Sequence, residues 1–305
     1  MIRIGTRGSL LALRQAHEVA RRLSAAHDLN EKDLEIVEIR TSGDRIQDRP
    51  LSEVGGKGLF TKEIEDALFD GRIDVAVHSL KDVETVIPEE TELAAVLPRE
   101  DVREVFISRK YKSVDEMPEG ARLGTSSLRR RAQACATNPG IDLVDFRGNV
   151  QTRLQKLADG VADATFLARA GLNRLGINEP FFHDVAVENM LPAIAQGAVA
   201  LQIRRSDTAS RNAVSVLDDA TTACCVEAER AYLARLDGSC RTPIAGYAEI
   251  YGNDFRFRGE VLGANGARRL RVERRGDVQG ACALAVEAAD ELLAAGAGEL
   301  LSDDA

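Results

Sequence analysis

The sequence predicts an α/β fold class: two α/β domains hinged about a cleft, followed by a small α+β domain. Three observations carry this. Strands and helices alternate from the first residues, the pattern of a mostly parallel sheet covered on both faces. The pattern restarts near residue 121, where ARLGTSSLRRRAQA (121–134) loosely echoes RIGTRGSLLALRQA (3–16). The apolar run AVALQIR (198–204) then follows the second set of elements, and its return would give two domains joined by two crossing segments. The expected division is 1–97 with 198–217, then 103–191, then 220–305.

Taken in order, IRIG is a strand, TRGS a loop, and LLALRQAHEVARRL an amphipathic helix with Leu10, Leu13, His17 or Ala16, and Ala20 along one side. LEIVEIR (34–40) is a second strand. TSGDRIQDRPLSEVGGKG, polar with paired glycines, has the length at which loops are usually functional. LFTKEIEDALFDG is a helix closed by Gly71, and IDVAVHSL a buried strand. In the second run DLVDFRG is a strand, NVQTRLQKLADG a helix ended by Gly160, and ADATFLARAGLNRLG a strand with a helix or turn. From about 220 the character changes. TTACCVEAERAYLARLDG is a helix, EIYGNDFRFRGEVLG and RRLRVERRG are antiparallel strands, and ACALAVEAADELLAAG is a closing helix.

Composition narrows the function. The 305 residues are 44% hydrophobic and 29% charged, which fits a packed globular chain. Trp is absent and aromatics are only 4%, so the core is expected to be Val, Ile, Leu and Ala. No apolar run approaches the roughly 18 residues of a membrane span. MIRIGTRGS lacks a leader-like apolar stretch, which predicts no export. Five cysteines without a C-x-x-C spacing argue against a disulfide framework or a metal site, and for a reducing cytoplasm. The net charge of −9 argues against general nucleic-acid binding. Yet Arg122–Arg174 holds eight Arg and one Lys against four Asp, a net of +5 that leaves −14 for the remainder. An arginine-rich middle in an acidic chain points to a pocket for a small anionic ligand.

Several residues stand where chemistry is expected. In GTSSLRRR the hydroxyls of Thr125, Ser126 and Ser127 sit at a helix start, where free N–H groups favour anions. Arg129 and Arg130 follow in the first turn, where the helix dipole disfavours cations, so an anion that offsets them is expected. The plainer alternative is that Ser127 only caps the helix and the arginines face water. TRGS repeats the arrangement with Arg7 and Ser9. HSLKD (78–82) follows an apolar strand, and ligands of open α/β sheets bind beyond the C-terminal strand ends. Asp82 is therefore a candidate catalytic carboxylate beside Lys81, and His78 is read as structural. DFRGNVQTR supplies Arg147 and Arg153, and GLNRLG supplies Arg174, guanidinium forks suited to carboxylates. Cys135, Cys224, Cys225 and Cys282 are read as core. Cys240, in the turn of DGSCRTPIAGY beside Arg241, is a thiol in a place where a core role is not expected.

Together, IGTRGSLLALRQA, VGGKGLFTKEIEDAL, DVAVHSLKD, GTSSLRRRAQ, FRGNVQTRL, QGAVA and GSCRTPIAGYA occur in the order found in the porphobilinogen deaminase (hydroxymethylbilane synthase) family, and the resemblance covers essentially the whole chain. It implies two periplasmic-binding-protein type II-like domains plus a small α+β C-terminal domain, in a monomer. It implies a transferase that joins four porphobilinogen molecules head to tail into hydroxymethylbilane and releases four ammonia molecules. The primer is one covalent dipyrromethane per chain, on a loop cysteine matched by Cys240. Asp82 matches the catalytic carboxylate, and Arg7, Arg129, Arg130, Arg147, Arg153 and Arg174 match residues that bind acetate and propionate groups. Ser9, Lys57, Ser79, Lys81, Thr125, Ser127 and Gln196 match further cofactor or substrate contacts. Segment 44–58 matches a lid, with Asp44 at its start and Phe60 just beyond it. Two positions depart from the family: Glu53 stands where many members have lysine, and Gln202 where many have glutamate.

Two rival readings remain at this point. A solute-binding module on the same hinged fold would explain the arginines, but not a third domain with a turn cysteine. A cysteine-nucleophile hydrolase would need a histidine partner that the sequence does not place.

Overall fold

The computed structural model describes residues 1–45, 60–239 and 242–302. The chain divides into two compact units, one of Met1–Glu100 with Gly197–Ala223 and one of Asp101–Gln196 with Cys224–Ala305. It opens with β1 (Ile2–Arg7), α1 (Leu10–His27), β2 (Leu34–Ile39), α2 (Ser42–Arg45), α3 (Lys62–Phe69), β3 (Val75–Ser79) and β4 (Thr91–Val96). Next come β5 (Glu104–Ile107), β6 (Arg122–Gly124), α4 (Leu128–Thr137), β7 (Asp142–Val144), α5 (Val150–Ala158), β8 (Ala164–Ala168), α6 (Arg169–Leu175) and β9 (Phe182–Val185). After β10 (Val199–Arg204), α7 (Thr208–Val214) and α8 (Ala220–Arg235) follow β11 (Ile244–Tyr251), β12 (Asp254–Leu262), β13 (Arg269–Asp277), α9 (Ala281–Ala294) and α10 (Ala297–Ser302).

The first unit is built on a five-stranded sheet in the order β2-β1-β3-β10-β4. β1 runs parallel to β2 and β3, while β10 is antiparallel to both its neighbours. The second unit contains a sheet of the same plan, β7-β6-β8-β5-β9, in which β6 is parallel to β7 and β8 and β5 is antiparallel to both its neighbours. It also contains an antiparallel meander, β11-β12-β13, whose first turn carries Gly252 at φ +64°. The expected α/β class is borne out: two mixed sheets share one strand plan, and a small α+β part carries the antiparallel meander.

Alternation along the strands decides what each sheet face buries. In the first unit Ile4, Val75, Val77, Val199, Leu201 and Ile203 pack with Ala16, Val19 and Leu23 of α1. Ile39, Ile73 and Ala76 pack with Ile64, Ala67 and Leu68 of α3. Gly197, just before β10, has φ +89°, and a Cβ there would stand 2.3 Å from the backbone oxygen of Glu100. Only glycine meets both demands.

Two expectations are corrected. Of the expected line on α1, Leu10, Leu13, His17 or Ala16, and Ala20, Ala16 is buried and Ala20 packs against the core, but Leu10 and His17 are exposed. The buried stripe is Ala12, Gln15, Ala16, Val19 and Leu23. Alanines let the helix lie close to the sheet, and Gln15 is held on that side by Ser79. Leu10, in the first turn, is 48% exposed. Cys282 is not a core residue: it is exposed near the start of α9, whereas Cys225 is buried and Cys135 and Cys224 are half-buried.

Candidate functional site

In the first unit the site residues come from two strand ends. β1 ends at Arg7, and the chain turns through Gly8 to Ser9, the extended N-cap of α1, whose hydroxyl accepts from the Ala12 amide at 3.3 Å. β3 ends at Ser79 and continues as a single 3-10 turn, Leu80–Asp82. Because β1 and β3 are adjacent and parallel, their C-terminal ends lie side by side. Arg7 Nη1 stands 3.8 Å from Asp82 Oδ2, and both side chains are partly open to solvent. The same guanidinium lies over the ring of Phe60, 4.3 Å from its centroid, a favourable placement for a cation. Lys81 shares the 3-10 turn with Asp82.

β3 is held from both faces just before that turn. Ser79 Oγ lies 2.9 Å from Nε2 and 3.1 Å from Oε1 of Gln15. On the other face, His78 Nε2 is 2.9 Å from Gln202 Oε1. His78 is almost fully buried, and burial pulls its imidazole down to about 4. It is structural in the sense expected from the sequence. Gln15 was not anticipated; its signal is a polar residue in phase with Ala12 and Val19 on the packed side of an amphipathic helix.

The second unit gathers cations around one carboxylate. β6 leads through Thr125 and Ser126 to Ser127, the N-cap of α4, whose hydroxyl accepts from the Arg130 amide at 3.4 Å. Thr125 Oγ1 accepts from the Ser127 amide and Ser126 Oγ from the Phe146 amide. All three hydroxyl oxygens thus already serve the backbone, which leaves their O–H protons to donate. Arg129 and Arg130 do not face water: they are 5% and 6% exposed. Arg129 Nη2 donates to Glu104 Oε1 at 2.5 Å and Arg130 Nη2 to Glu104 Oε2 at 2.7 Å. Their Nη1 atoms donate to the carbonyls of Leu191 and Phe166. Gln196, fully buried, donates to the Val102 carbonyl at 2.7 Å and to Glu104 Oε1 at 3.1 Å. Burial pulls the Arg129 guanidinium below the ordinary arginine range, opposed by Glu104 and reinforced by Arg130.

Glu104 is therefore the chain's own anion at the start of α4. It opens the apolar strand EVFI, and one charged residue at the head of such a run is the signal that could have found it. Two guanidiniums share this carboxylate, so the cluster keeps one formal positive charge. Two of the neighbouring donors find no partner among the described residues: Arg130 Nε and Arg147 Nη1 are buried without a hydrogen bond. Arg147 precedes Gly148, at φ +123°, and Arg153 Nε donates to the Gly148 carbonyl at 2.9 Å. Arg174 is half-buried near the end of α6. Asp44 lies on α2, while Lys57, Glu53 and Cys240 fall outside the described residues.

Two family models match the chain. The porphobilinogen deaminase, dipyromethane cofactor binding domain model matches residues 2–212, and the porphobilinogen deaminase, C-terminal domain model matches residues 223–294. A porphobilinogen deaminase of Paracoccus denitrificans is 53% identical over 291 residues, covering 95% of this chain and 93% of that protein. A chloroplastic porphobilinogen deaminase of Pisum sativum is 50% identical over 281 residues, covering 90% and 76%. Among solved structures, the methionine binding protein MetQ is 12% identical, with a TM-score of 0.42 over 71% of this chain and 89% of its own.

Proposed function

The chain belongs to the porphobilinogen deaminase family, and on that premise we propose how its residues divide the family's work. The enzyme is a transferase of tetrapyrrole biosynthesis that condenses porphobilinogen into hydroxymethylbilane with a dipyrromethane cofactor. When bound, that cofactor supplies the covalently held primer to which substrate units are added. The residues present fit it. Buried guanidinium donors on Arg130 and Arg147, without partners among the described residues, suit a group that carries carboxylates.

Asp82 is the catalytic carboxylate. The observation that carries this is its place beyond the C-terminal end of β3, partly open and fixed 3.8 Å from Arg7. Loss of ammonia from porphobilinogen leaves positive charge spread onto the pyrrole nitrogen, and a fixed carboxylate stabilises that charge as it develops. Arg7 keeps Asp82 oriented and, with Arg129, Arg130, Arg147, Arg153 and Arg174, favours the acetate and propionate groups. Ser9, Ser79, Lys81, Thr125, Ser127 and Gln196 provide polar contacts to cofactor or substrate. Lys57, with Asp44 and Phe60 at either end of its segment, serves a lid, and Cys240 is the point of covalent attachment. Three domains, at 1–97 with 198–217, 103–191 and 220–305, are supported by the three separate sheets. The protein works as a cytoplasmic monomer and without nucleic acid, the last of these supported by its net charge of −9. Among the described residues no helix is long and apolar enough to cross a membrane.

Intact mass and turnover test this together. The wild type and Asp82→Asn should both carry the excess mass of two linked pyrrole units, and Cys240→Ala should not. Asp82→Asn should turn over about a hundredfold more slowly or worse. Near wild-type turnover in Asp82→Asn would remove the carboxylate from the mechanism, and retained excess mass in Cys240→Ala would move the attachment elsewhere.

A further inference from the structure

Gln202 sits on β10 where the pairing with β4 changes register between Leu201 and Gln202, an irregularity of the kind that re-aims a side chain. It is completely buried, on the sheet face covered by α3. Its Nε2 is 2.9 Å from Thr91 Oγ1 and 3.2 Å from Glu65 Oε1, and its Oε1 is 2.9 Å from His78 Nε2. These contacts determine which way round the amide lies. The Thr91 hydroxyl donates to the Pro88 carbonyl at 2.9 Å, so toward Gln202 it acts as an acceptor. An ionised Glu65 carboxylate accepts only. Both N–H bonds of Gln202 are thus taken, and a flipped amide would set oxygen against oxygen at two positions. Its carbonyl oxygen must face His78, and His78 must donate from Nε2. The result is one directed chain, from His78 through Gln202 and Thr91 to the Pro88 carbonyl, in which each donor polarises the next.

We propose that Gln202 is a positioning residue for the reaction: it locks His78 as the neutral Nε2–H tautomer and thereby fixes the end of β3 from which the Asp82 turn departs. Ser79 is tied to Gln15 on the α1 face and His78 to Gln202 on the α3 face, so two glutamine amides hold adjacent residues of β3 from opposite sides. Asp82 follows three residues after Ser79. A neutral ring suits the surroundings. Arg7 on β1 and the deep burial both oppose an imidazolium, and the Glu65 carboxylate on α3 reaches His78 only through the amide. A carboxylate at position 202 would reverse this. It would lie against Glu65, and a protonated His78 would relieve the repulsion.

This proposal deepens the assignment of Asp82 and rests on it for its effect on turnover, but its first test does not. In protein labelled with 15N-histidine, the His78 ring should show the Nε2–H tautomer throughout pH 5.5–8. The Nδ1–H tautomer, or titration inside that range, would overturn the proposal without any variant having to fold. In Gln202→Glu the His78 titration should move up by about one to three pH units, as an opposite charge at this distance dictates. Its kcat should then fall by roughly tenfold and acquire a new titration, with KM for porphobilinogen within twofold. An unchanged His78 titration or an unchanged kcat–pH profile in that variant would also overturn it. Wild-type turnover in Asp82→Asn with the tautomer as stated would instead sink the assignment of Asp82 and leave the Gln202–His78 lock standing.

Discussion

The first strand–helix pair of each α/β sheet, β1–α1 and β6–α4, is one backbone device used in two electrostatic ways. A Gly-Thr pair lies at or near the end of each strand, both helices start from a serine N-cap that accepts an amide three residues on, and both bury a glutamine six residues after the cap, Gln15 and Gln133. They differ in where the cation sits. In β1–α1 the arginine precedes the helix: Arg7 is partly open, 3.8 Å from a partly open Asp82. In β6–α4 the arginines lie inside the first turn, buried and bound to a fully buried Glu104. The first arrangement leaves its carboxylate partly open to solvent. The second consumes its carboxylate and keeps a residual positive charge for an anion. One half of the repeat keeps its charge pair open and the other buries it.

The largest effect should come from breaking the buried half. Glu104→Gln removes the carboxylate that the two guanidiniums share and leaves them underpaired in a dry environment. Loss of one partner in a buried ion pair costs about 3–5 kcal/mol. Denaturant unfolding should show that loss, or the protein should fail to accumulate in folded form. Asp82→Asn breaks the corresponding open pair, and there less than about 1 kcal/mol is expected because solvent already screens it. The contrast collapses if Glu104→Gln unfolds at the wild-type midpoint, or if Asp82→Asn is the less stable of the two.

The next effect tests the neutral amide contact of His78 in the first unit against the buried charge cluster of the second. His78 titrates at about 4 in the folded protein, below its ordinary value near 6.5. Between those values the unfolded chain binds a proton that the native state refuses. The stability from a neutral His78 is therefore complete above about pH 6.5 and is lost as the pH falls toward 4. The shift corresponds to about 3 kcal/mol. Glu65, raised by burial, works in the opposite sense over its own titration. It is common to wild type and His78→Gln, so it cancels in the difference between them. The wild type should lose more stability than His78→Gln from pH 7 to pH 4.5. Equal losses would mean that the imidazole is not held neutral.

These pairs also show what the residues disclose along the chain and what they do not. Alternating strands and helices, the glycine stops and the restart at 121 are local patterns, and they survive in the sheets. Ser127 capping a helix and His78 serving a structural role are local as well. Glu104 was invisible as a partner because β5 is inserted beside β8, so a residue 25 positions upstream meets Arg129 through sheet order, not chain order. Gln202 meets His78 across 124 positions for the same reason. Periodicity also misplaced the buried side of α1. It weighs Leu10 as apolar, but it has no measure of how closely alanines let a helix approach a sheet.

The smallest effect asks whether the two N-caps are equivalent. Ser9 and Ser127 each accept one amide proton at the head of a helix, at 3.3 and 3.4 Å. As caps alone, each should cost about 1 kcal/mol on change to alanine and only a few tenths on change to glycine. The environments differ, however. Ser9 is followed by the apolar run Leu10–Leu13, whereas Ser127 is followed by two buried guanidiniums. An alanine at 127 removes the cap oxygen next to a cluster already rich in positive charge, where a neighbouring lone pair is worth more. Ser127→Ala should therefore be the more destabilising of the two in thermal unfolding, and glycine should rescue Ser9 more fully than Ser127. Equal losses with equal rescue by glycine would reduce both serines to interchangeable caps. The electrostatic contrast between the two halves would then begin at the second helical residue, not at the cap.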